Sequence, residues 1–376
     1  MIIRGAEVWN GKDFASKELY IDDDGFFSDV SSGEEIDLSG KKIIPGFVDT
    51  HIHGCFGYDI SDGDVDGIIE IAKLLPRFGV TSFCPTTMTM DEDSIFKSLS
   101  AVDKAVKELE NAHYPHARIL GVHLEGPFLS PAKSGAQGKD SLLTPRLGMA
   151  LVDRISEQFP GLVKIIDIAP ELDGADEFIC RYKDSYIISA AHTECTYEQA
   201  MHAFELGVSS VTHLLNATTP IEKRAPGIAC AAMDSGSYVE IICDGIHIQP
   251  PVLRTLFRMF DQDRIIVISD SMRGSGMPDG SYVLGDVEVE CRNGRTYFGP
   301  EGNLAGSVTN LAAEYKTLIS SGIDQWIVID SMTCNPMARL GNKKDLFGPG
   351  MPADLIVFDG LDICDVFCHG KRIVVL

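Results

Sequence analysis

The sequence lacks the features that mark several classes of protein. It begins MIIRGAEVWN, with no basic segment followed by an apolar stretch and a cleavage site, and no apolar run approaches the roughly 20 residues that a bilayer requires. No phosphate-binding loop of the form G-x-x-x-x-G-K-[ST] is present. Basic residues are few, 32 against 55 acidic ones, so the net charge is −23. Nucleic acid and anionic membranes are poor partners for such a chain, and we expect a cytoplasmic protein.

Paired cysteine motifs are also missing. The chain has ten cysteines, none in a C-x-x-C arrangement, and several lie inside apolar runs, such as Cys243 in VEIICDG. Because free cysteine is a common small buried residue, we expect reduced thiols in the core.

What is present is a repeated alternation of strand-like and helix-like segments over much of the 376 residues. Near-continuous apolar strands that alternate with helices indicate a parallel sheet covered on both faces, and eight such units are typical of a (β/α)₈ barrel. The eight runs are KIIPGFVDTHIH, VTSFCPTT, RILGVHLEG, VKIIDIAPE, YIISAAHTE, VSSVTHLLNA, YVEIICDGIH and RIIVISDSM.

The two ends of the chain have a different texture of short strands and turns. We expect residues 1–44 and 345–376 to pair into one small β-sandwich domain beside a barrel of residues 45–344. The stretch after the eighth strand, GMPDGSYVLGDVEVECRNGRTYFGPEGNLAG, predicts a hairpin-rich insertion. Two helices are expected after it, near 308–321 and 324–340.

Polar side chains gather where the predicted strands end, which is where (β/α)₈ barrels carry their chemistry. Six of the ten histidines lie at these ends, and imidazoles and carboxylates converging on one rim suit a divalent transition metal. The strand-end residues are His51, His53, His123, Glu125, His192, His213, Asp244, His247 and Asp270.

The H-x-H pair at the first predicted strand places two histidines on the same side of the chain. Residues i and i+2 of a strand face the same way, so His51 and His53 can point together into the barrel mouth. Gly54 and Gly57 then let the backbone turn away. Alone, such a pair could equally be two polar residues on a strand face; the other strand-end ligands favour a metal site.

A longer set of motifs resembles the amidohydrolase superfamily and, within it, the family of N-acetylglucosamine-6-phosphate deacetylases. The similarity runs in order from about residue 43 to 360. Its pieces include PGFVDTHIHG, GVHLEGPFLSPAKSGAQ, IDIAPE, AHTECTYEQA, VTHLLNAT, RAPG, ICDGIHIQP, ISDSM, LAGS, NPMARLG and GMPADLIVFD.

The resemblance implies a set of metal ligands. Glu125, His192 and His213 would hold one ion, and His51 and His53 a second, with Glu125 bridging. Zinc is the expected metal, iron or another divalent ion is the alternative, and the choice between one and two ions stays open.

The resemblance also implies a reaction, the hydrolysis of the N-acetyl group of N-acetylglucosamine-6-phosphate to glucosamine-6-phosphate and acetate. In this reaction a metal lowers the pKa of its bound water and supplies the nucleophile. Asp270 would act as general base and then as general acid, and His247 would polarise the acetyl carbonyl.

Five further residues are expected to bind the substrate. Ala136 and Gln137 would contact the sugar, and Asn216 and Ala217 would offer backbone N–H groups to the phosphate. Arg224 matches an arginine that the family uses to reach the phosphate from the neighbouring subunit of a homodimer.

Alternative functions remain open from the sequence. The substrate could be N-acetylgalactosamine-6-phosphate or another acylated amine, because one hydroxyl orientation is not readable from sequence. A non-catalytic scaffold that has lost its metal is a second class, which the intact ligands disfavour. Ala225 and Ser271 depart from the usual family residues and bear on the sugar and the acyl group.

Overall fold

The computed structural model, which describes residues 1–30, 33–342 and 345–375, contains the predicted parallel barrel. Each barrel strand pairs in parallel with the next one along the chain. The strands are β1 (Phe47–Ile52), β2 (Val80–Thr87), β3 (Val122–Phe128), β4 (Val163–Ile168), β5 (Ile187–Ala190), β6 (Ser210–Val211), β7 (Tyr238–Ile242) and β8 (Ile265–Ile268).

The segment after β8 closes the barrel against β1. The N–H of Asp270 donates to the carbonyl of His51 at 3.0 Å, and the N–H of His53 donates to the carbonyl of Ser271 at 2.9 Å. Beyond them, Gly57 has a φ of 91°, a conformation that glycine adopts without strain. The predicted turn after the H-x-H pair is therefore present, and it lies against the segment that carries Asp270.

Helices follow the barrel strands, as the alternation predicts. The helix after β5 shows why the sequence places them: Thr196 and Gln199 form a capping box at its start, and Gly207 ends it. No helix among the described residues is long and apolar enough to cross a bilayer. The helices are α1 (Val65–Leu74), α2 (Glu92–Leu109), α3 (Pro145–Gln158), α4 (Ala175–Tyr182), α5 (Tyr197–Leu206), α6 (Gly227–Ser235), α7 (Pro250–Met259), α8 (Leu311–Ser320), α9 (Gln325–Met332) and α10 (Cys334–Arg339).

The predicted helix over 324–340 is two helices, α9 and α10. The chain breaks at Thr333, whose φ of −132° and ψ of −74° are not helical. Pro336 in the first turn of α10 has no N–H to continue the α9 ladder, which is the physical reason for the break.

Both chain ends build the predicted β-sandwich. Lys42–Pro45 pairs with Glu7–Trp9 on one side and with Leu355–Asp359 on the other, so each end contributes to one sheet. A four-stranded sheet faces it across a shared apolar core. In sheet order the strands are Lys371–Val374, Asp362–Cys368, Leu355–Asp359, Lys42–Pro45, Glu7–Trp9 and Phe14–Ser16, and then Phe27–Ser28, Leu19–Ile21, Ile2–Arg4 and Glu35–Asp37.

The domain boundaries expected at residues 44 and 345 stay a prediction. The hairpin-rich insertion is confirmed as a four-stranded antiparallel sheet. Three further short strands lie at Gly54–Cys55, Tyr58–Asp59 and Arg118–Ile119. The strands of the insertion are Gly280–Leu284, Val287–Arg292, Arg295–Phe298 and Asn303–Leu304.

Phe47 in β1 ties the barrel to both α8 and the end sheet. Its ring is fully buried and lies 5.9 Å from the ring of Tyr315 in α8 and 6.5 Å from that of Phe358 in the end sheet.

We expect Phe47→Ala to lower the free energy of unfolding by about 3–5 kcal/mol, because it leaves a cavity between these rings. Urea denaturation measures it, with the exposed Leu147→Ala as control, expected within about 0.5 kcal/mol of wild type. A loss of stability below about 1 kcal/mol for Phe47→Ala would contradict the role of this ring in joining the barrel to α8 and the end sheet.

Candidate active site

A cavity of about 490 Å³ opens at the carboxyl ends of the barrel strands. Of the twelve site residues predicted from sequence, ten line it, while His51 lies buried beside it and Arg224 lies elsewhere. The ten are His53, Glu125, Ala136, Gln137, His192, His213, Asn216, Ala217, His247 and Asp270.

Glu125, in the middle of β3, contacts a first pair of imidazoles through Oε1. This oxygen lies 2.9 Å from Nε2 of His213 and 3.1 Å from Nε2 of His192. The two Nε2 atoms are themselves 3.1 Å apart. The three groups therefore face one point, as ligands of one ion must.

The other oxygen of Glu125 faces a second pair. Oε2 lies 3.2 Å from Nε2 of His53 and 3.7 Å from Nε2 of His51. Oδ1 of Asp270 stands 3.2 Å and 3.4 Å from the same two nitrogens. One carboxylate thus lies between two imidazole pairs, and a second carboxylate adjoins only the H-x-H pair.

These side chains fit a divalent metal in two respects, the chemical type of the donor atoms and the tautomers of the histidine rings. Nδ1 of His192 lies 2.7 Å from the carbonyl of Lys133, and Nδ1 of His53 lies 3.2 Å from that of Thr86. A carbonyl can only accept a hydrogen bond, so in the neutral ring each Nδ1 carries the proton and each Nε2 keeps its lone pair. Imidazole nitrogens with one carboxylate are a ligand set that Zn²⁺ takes readily.

The strand ends turn sharply where these groups stand. His192, His213 and Asp270 have φ angles of 43°, 31° and 47°, in the left-handed region that non-glycine residues disfavour. Such backbone costs about 1–3 kcal/mol per residue and is concentrated at functional sites.

The close contacts lower the pKa of both carboxylates and raise the pKa of His51, His53 and His192. Burial raises the pKa of Glu125, but His51, His192 and His213 outweigh it and hold that pKa well below its usual range. Burial lowers the pKa of His53, yet Asp270 and Glu125 raise it to about 9. The pKa of Asp270 is likewise lowered against burial, chiefly by His53 and His51. An ionised Asp270 is the form that can accept a proton.

His247 is held by its neighbour on the same loop. Its Nδ1 lies 2.8 Å from Oδ2 of Asp244, whose other oxygen accepts the N–H groups of Ile246 and His247 at 2.8 Å each. Burial lowers the pKa of His247, but the Asp244 carboxylate outweighs it and the net shift is upward. Nε2 is thus the ring nitrogen left for another partner.

Gln137 and Asn216 stand in the cavity wall with contacts that the sequence did not reveal. Gln137 donates from Nε2 to Oε2 of Glu125 at 2.7 Å and accepts from the N–H of Thr89 at 2.7 Å, so its amide supports the carboxylate. The N–H of Asn216 donates to the carbonyl of His213 at 2.9 Å. That N–H therefore has a partner within the chain, and the expected contact of Asn216 with a phosphate stays a prediction.

Arg224 is not brought to this cavity. It is exposed on the loop between β6 and α6, in a turn closed between Glu222 and Ala225. The cavity wall of the same chain instead carries Lys133 and Lys139.

Sequence reasoning missed a buried layer below the cavity. Glu240 in β7 lies within hydrogen-bond distance of His51 Nδ1, at 3.3 Å, and Arg339 of α10 donates to Glu240 at 2.6 Å. The available signal was a charged residue inside the apolar run YVEIICDG. Asp167 lies in the same layer, 3.0 Å from Nε2 of His123, a residue that the sequence analysis did not include among the ligands.

Comparisons with known proteins agree with this geometry. Residues 43–374 match the amidohydrolase family. The N-acetylglucosamine-6-phosphate deacetylase of Bacillus subtilis is 33% identical, covering 93% of this chain and 90% of that protein. The N-acetylgalactosamine-6-phosphate deacetylase of Escherichia coli O157:H7 is 30% identical, covering 88% of this chain and 87% of that protein.

A solved structure matches the whole fold. It is a variant of N-acetyl-D-glucosamine-6-phosphate deacetylase from Mycobacterium smegmatis in complex with N-acetyl-D-glucosamine-6-phosphate. The TM-score is 0.90 at 27% identity, and the match covers 100% of this chain and 99% of that one.

Glu125 is the residue whose removal should affect both imidazole pairs. We expect Glu125→Gln to weaken zinc binding more than about 100-fold. Changing a residue that only orients a metal ligand costs about 10–100-fold in affinity, and loss of a ligand should cost more. Titration against a zinc-binding dye measures this, with the exposed Glu157→Gln of α3 as the control that keeps wild-type affinity. Unchanged zinc affinity in Glu125→Gln would show that the carboxylate is no ligand.

Proposed function

Because the chain belongs to the amidohydrolase family, we propose that it hydrolyses the N-acetyl group of N-acetylglucosamine-6-phosphate, releasing acetate and glucosamine-6-phosphate. The observation that carries this proposal is the Glu125 carboxylate between two imidazole pairs, with Asp270 beside one of them. This arrangement supports hydrolysis of an amide. The choice of an amino sugar phosphate as substrate rests on the relatives named above.

We propose zinc as the metal. Glu125, His192 and His213 would hold one ion, and His51 and His53 with the second oxygen of Glu125 would hold another. A bound ion of this kind supplies a water molecule of lowered pKa as nucleophile. The tautomers fixed at His192 and His53 support this assignment.

Asp270 is the proposed general base and acid. Its carboxylate is nearly buried and faces the histidine nitrogens at the cavity floor, so it can take a proton from an attacking water. The same carboxyl then gives that proton to the sugar nitrogen as the C–N bond breaks. Without this transfer the amine would leave as a strongly basic anion.

His247 is the proposed electrophile. Asp244 accepts the Nδ1 proton and raises the pKa of His247, so the charged ring also carries an Nε2–H that can donate to the acetyl oxygen as negative charge develops there. Ala136, Gln137 and Ala217 line the same cavity and would contact the sugar phosphate.

The phosphate presents a separate problem in a chain of net charge −23. We propose that Arg224 supplies a further cation, beside Lys133 and Lys139, to the neighbouring subunit's cavity in a homodimer. Its exposure, and its absence from the lining of its own cavity, support this arrangement. A planar guanidinium suits bidentate phosphate binding. The cytoplasmic location stays a prediction.

N-acetylgalactosamine-6-phosphate is the second candidate substrate, since one of the relatives at 30% identity is named for it. The two sugars differ in the orientation of one hydroxyl group. Only a direct comparison of turnover separates them.

We expect the zinc-loaded protein to release acetate from N-acetylglucosamine-6-phosphate faster than from the galactosamine epimer or the unphosphorylated sugar. Asp270→Asn should lower kcat by about 10²–10⁴-fold, because a general base and acid is lost. Acetate measured in a coupled assay gives kcat and KM, with the exposed Asp261→Asn as matched control. Zinc bound without turnover of any of the three sugars would refute the substrate assignment and leave the metal site standing.

The shared-site proposal for Arg224 is tested by mixing two impaired chains and assaying them at substrate concentrations well below KM. Arg224→Ala should raise KM by about 10–100-fold through loss of a charged hydrogen bond. Refolding it with Asp270→Asn should restore roughly a quarter of wild-type activity, since half of the dimers then carry one intact site. Recovery no greater than the sum of the two separate variants would place Arg224 in its own subunit's site or outside both.

A further inference from the structure

Glu240 is a carboxylate in the interior of the barrel. It lies in the middle of β7, in an otherwise apolar strand, and is fully buried. A buried charge is unfavourable unless it is paired and hydrogen-bonded, so its partners indicate what it is for.

The two oxygens of Glu240 have different partners. Oε1 accepts from Nη2 of Arg339 at 2.6 Å and from Oγ1 of Thr50 at 3.1 Å. Oε2 faces Nδ1 of His51 at 3.3 Å. Arg339 is itself anchored, donating from Nη1 to Oγ of Ser210 at 3.0 Å. The carboxylate is therefore clamped on one side and turned towards His51 on the other.

Two other interpretations of this cluster are weaker. A purely structural ion pair needs only Arg339 and does not explain why the free oxygen meets a histidine. Glu240, His51 and His123 also bring donor atoms close enough to hold an ion. However, the guanidinium of Arg339 lies against that carboxylate, and its positive charge opposes a cation there.

His51 differs from the other proposed ligands in what holds its ring. Nδ1 of His192 and Nδ1 of His53 rest on backbone carbonyls, and Nδ1 of His213 is buried without a hydrogen-bond partner in the described chain. Only His51 of these four meets a carboxylate at Nδ1. A carboxylate at that position fixes the tautomer and makes the other ring nitrogen a stronger ligand.

We propose that Glu240, clamped by Arg339, is a positioning residue that holds the Nδ1 proton of His51 and directs Nε2 to the second ion. This inference rests on the proposed metal site but not on the identity of the substrate. The pair then controls whether the H-x-H position fills, independently of the position formed by His192 and His213.

The test is a zinc titration of the full chain that resolves the first and second equivalents. In the double variant Glu240→Met, Arg339→Met, which removes the carboxylate without leaving an unpaired charge, affinity for the second zinc should fall by about 100-fold. Glu240→Gln keeps an acceptor for His51 and should lose only about tenfold. The first equivalent should bind as in wild type in both variants.

Asp167→Asn is the matched control, since Asp167 is a buried carboxylate of the same layer that contacts His123 rather than a proposed ligand. It should bind both equivalents as wild type does.

Loss of both equivalents together in the Glu240 variants, or second-site affinity within twofold of wild type, would overturn the inference. So would a wild-type chain that binds one zinc unaffected by His51→Ala. If the double variant does not fold, Glu240→Gln alone decides between these outcomes. Wild type that binds no zinc would instead refute the proposed metal site itself.

Discussion

The carboxylate of Glu125 is the constraint around which the barrel mouth is organised. It is buried, it offers one oxygen to each of two imidazole pairs, and Gln137 fixes its orientation from the side. Those pairs come from β1, β5 and β6, so three strands must end at the same height for them to meet it. The left-handed backbone at His192 and His213 is part of how this is achieved, because each chain turns at the point where its side chain must reach Glu125.

Beneath Glu125 and the histidines, the barrel interior contains a second layer of polar side chains. The Arg339–Glu240 pair and the Asp167 carboxylate lie beneath the histidines, where many barrels have only branched apolar side chains. Removing one partner from a buried pair is costly, so this layer restricts how far the floor can be altered. Its members come from β7, α10 and β4, and α10 thereby becomes part of the site although it follows the last barrel strand.

The sequence was sufficient for the barrel and for most of the site, because strand-end positions follow from apolar runs that stop at polar residues. His51, His53 and Glu125 were found in this way. Contacts that depend on side-chain direction were not, and the hydrogen bond from Gln137 to Glu125 is one of them. Arg339 could not be foreseen either, since nothing local in NPMARLG indicates that a helix after the barrel reaches beneath β1 and β7.

Closure of the barrel through β1 and the segment after β8 has a consequence for synthesis on the ribosome. His51 and Asp270 are separated by about 220 residues of chain, which take roughly 10–40 s to translate. For that interval His51 and His53 are present without the segment after β8 that closes the barrel against them. The partner strand of Lys42–Pro45 emerges later still, at Leu355–Asp359. Assembly of the cavity is therefore a late event in which the first and last parts of the barrel meet.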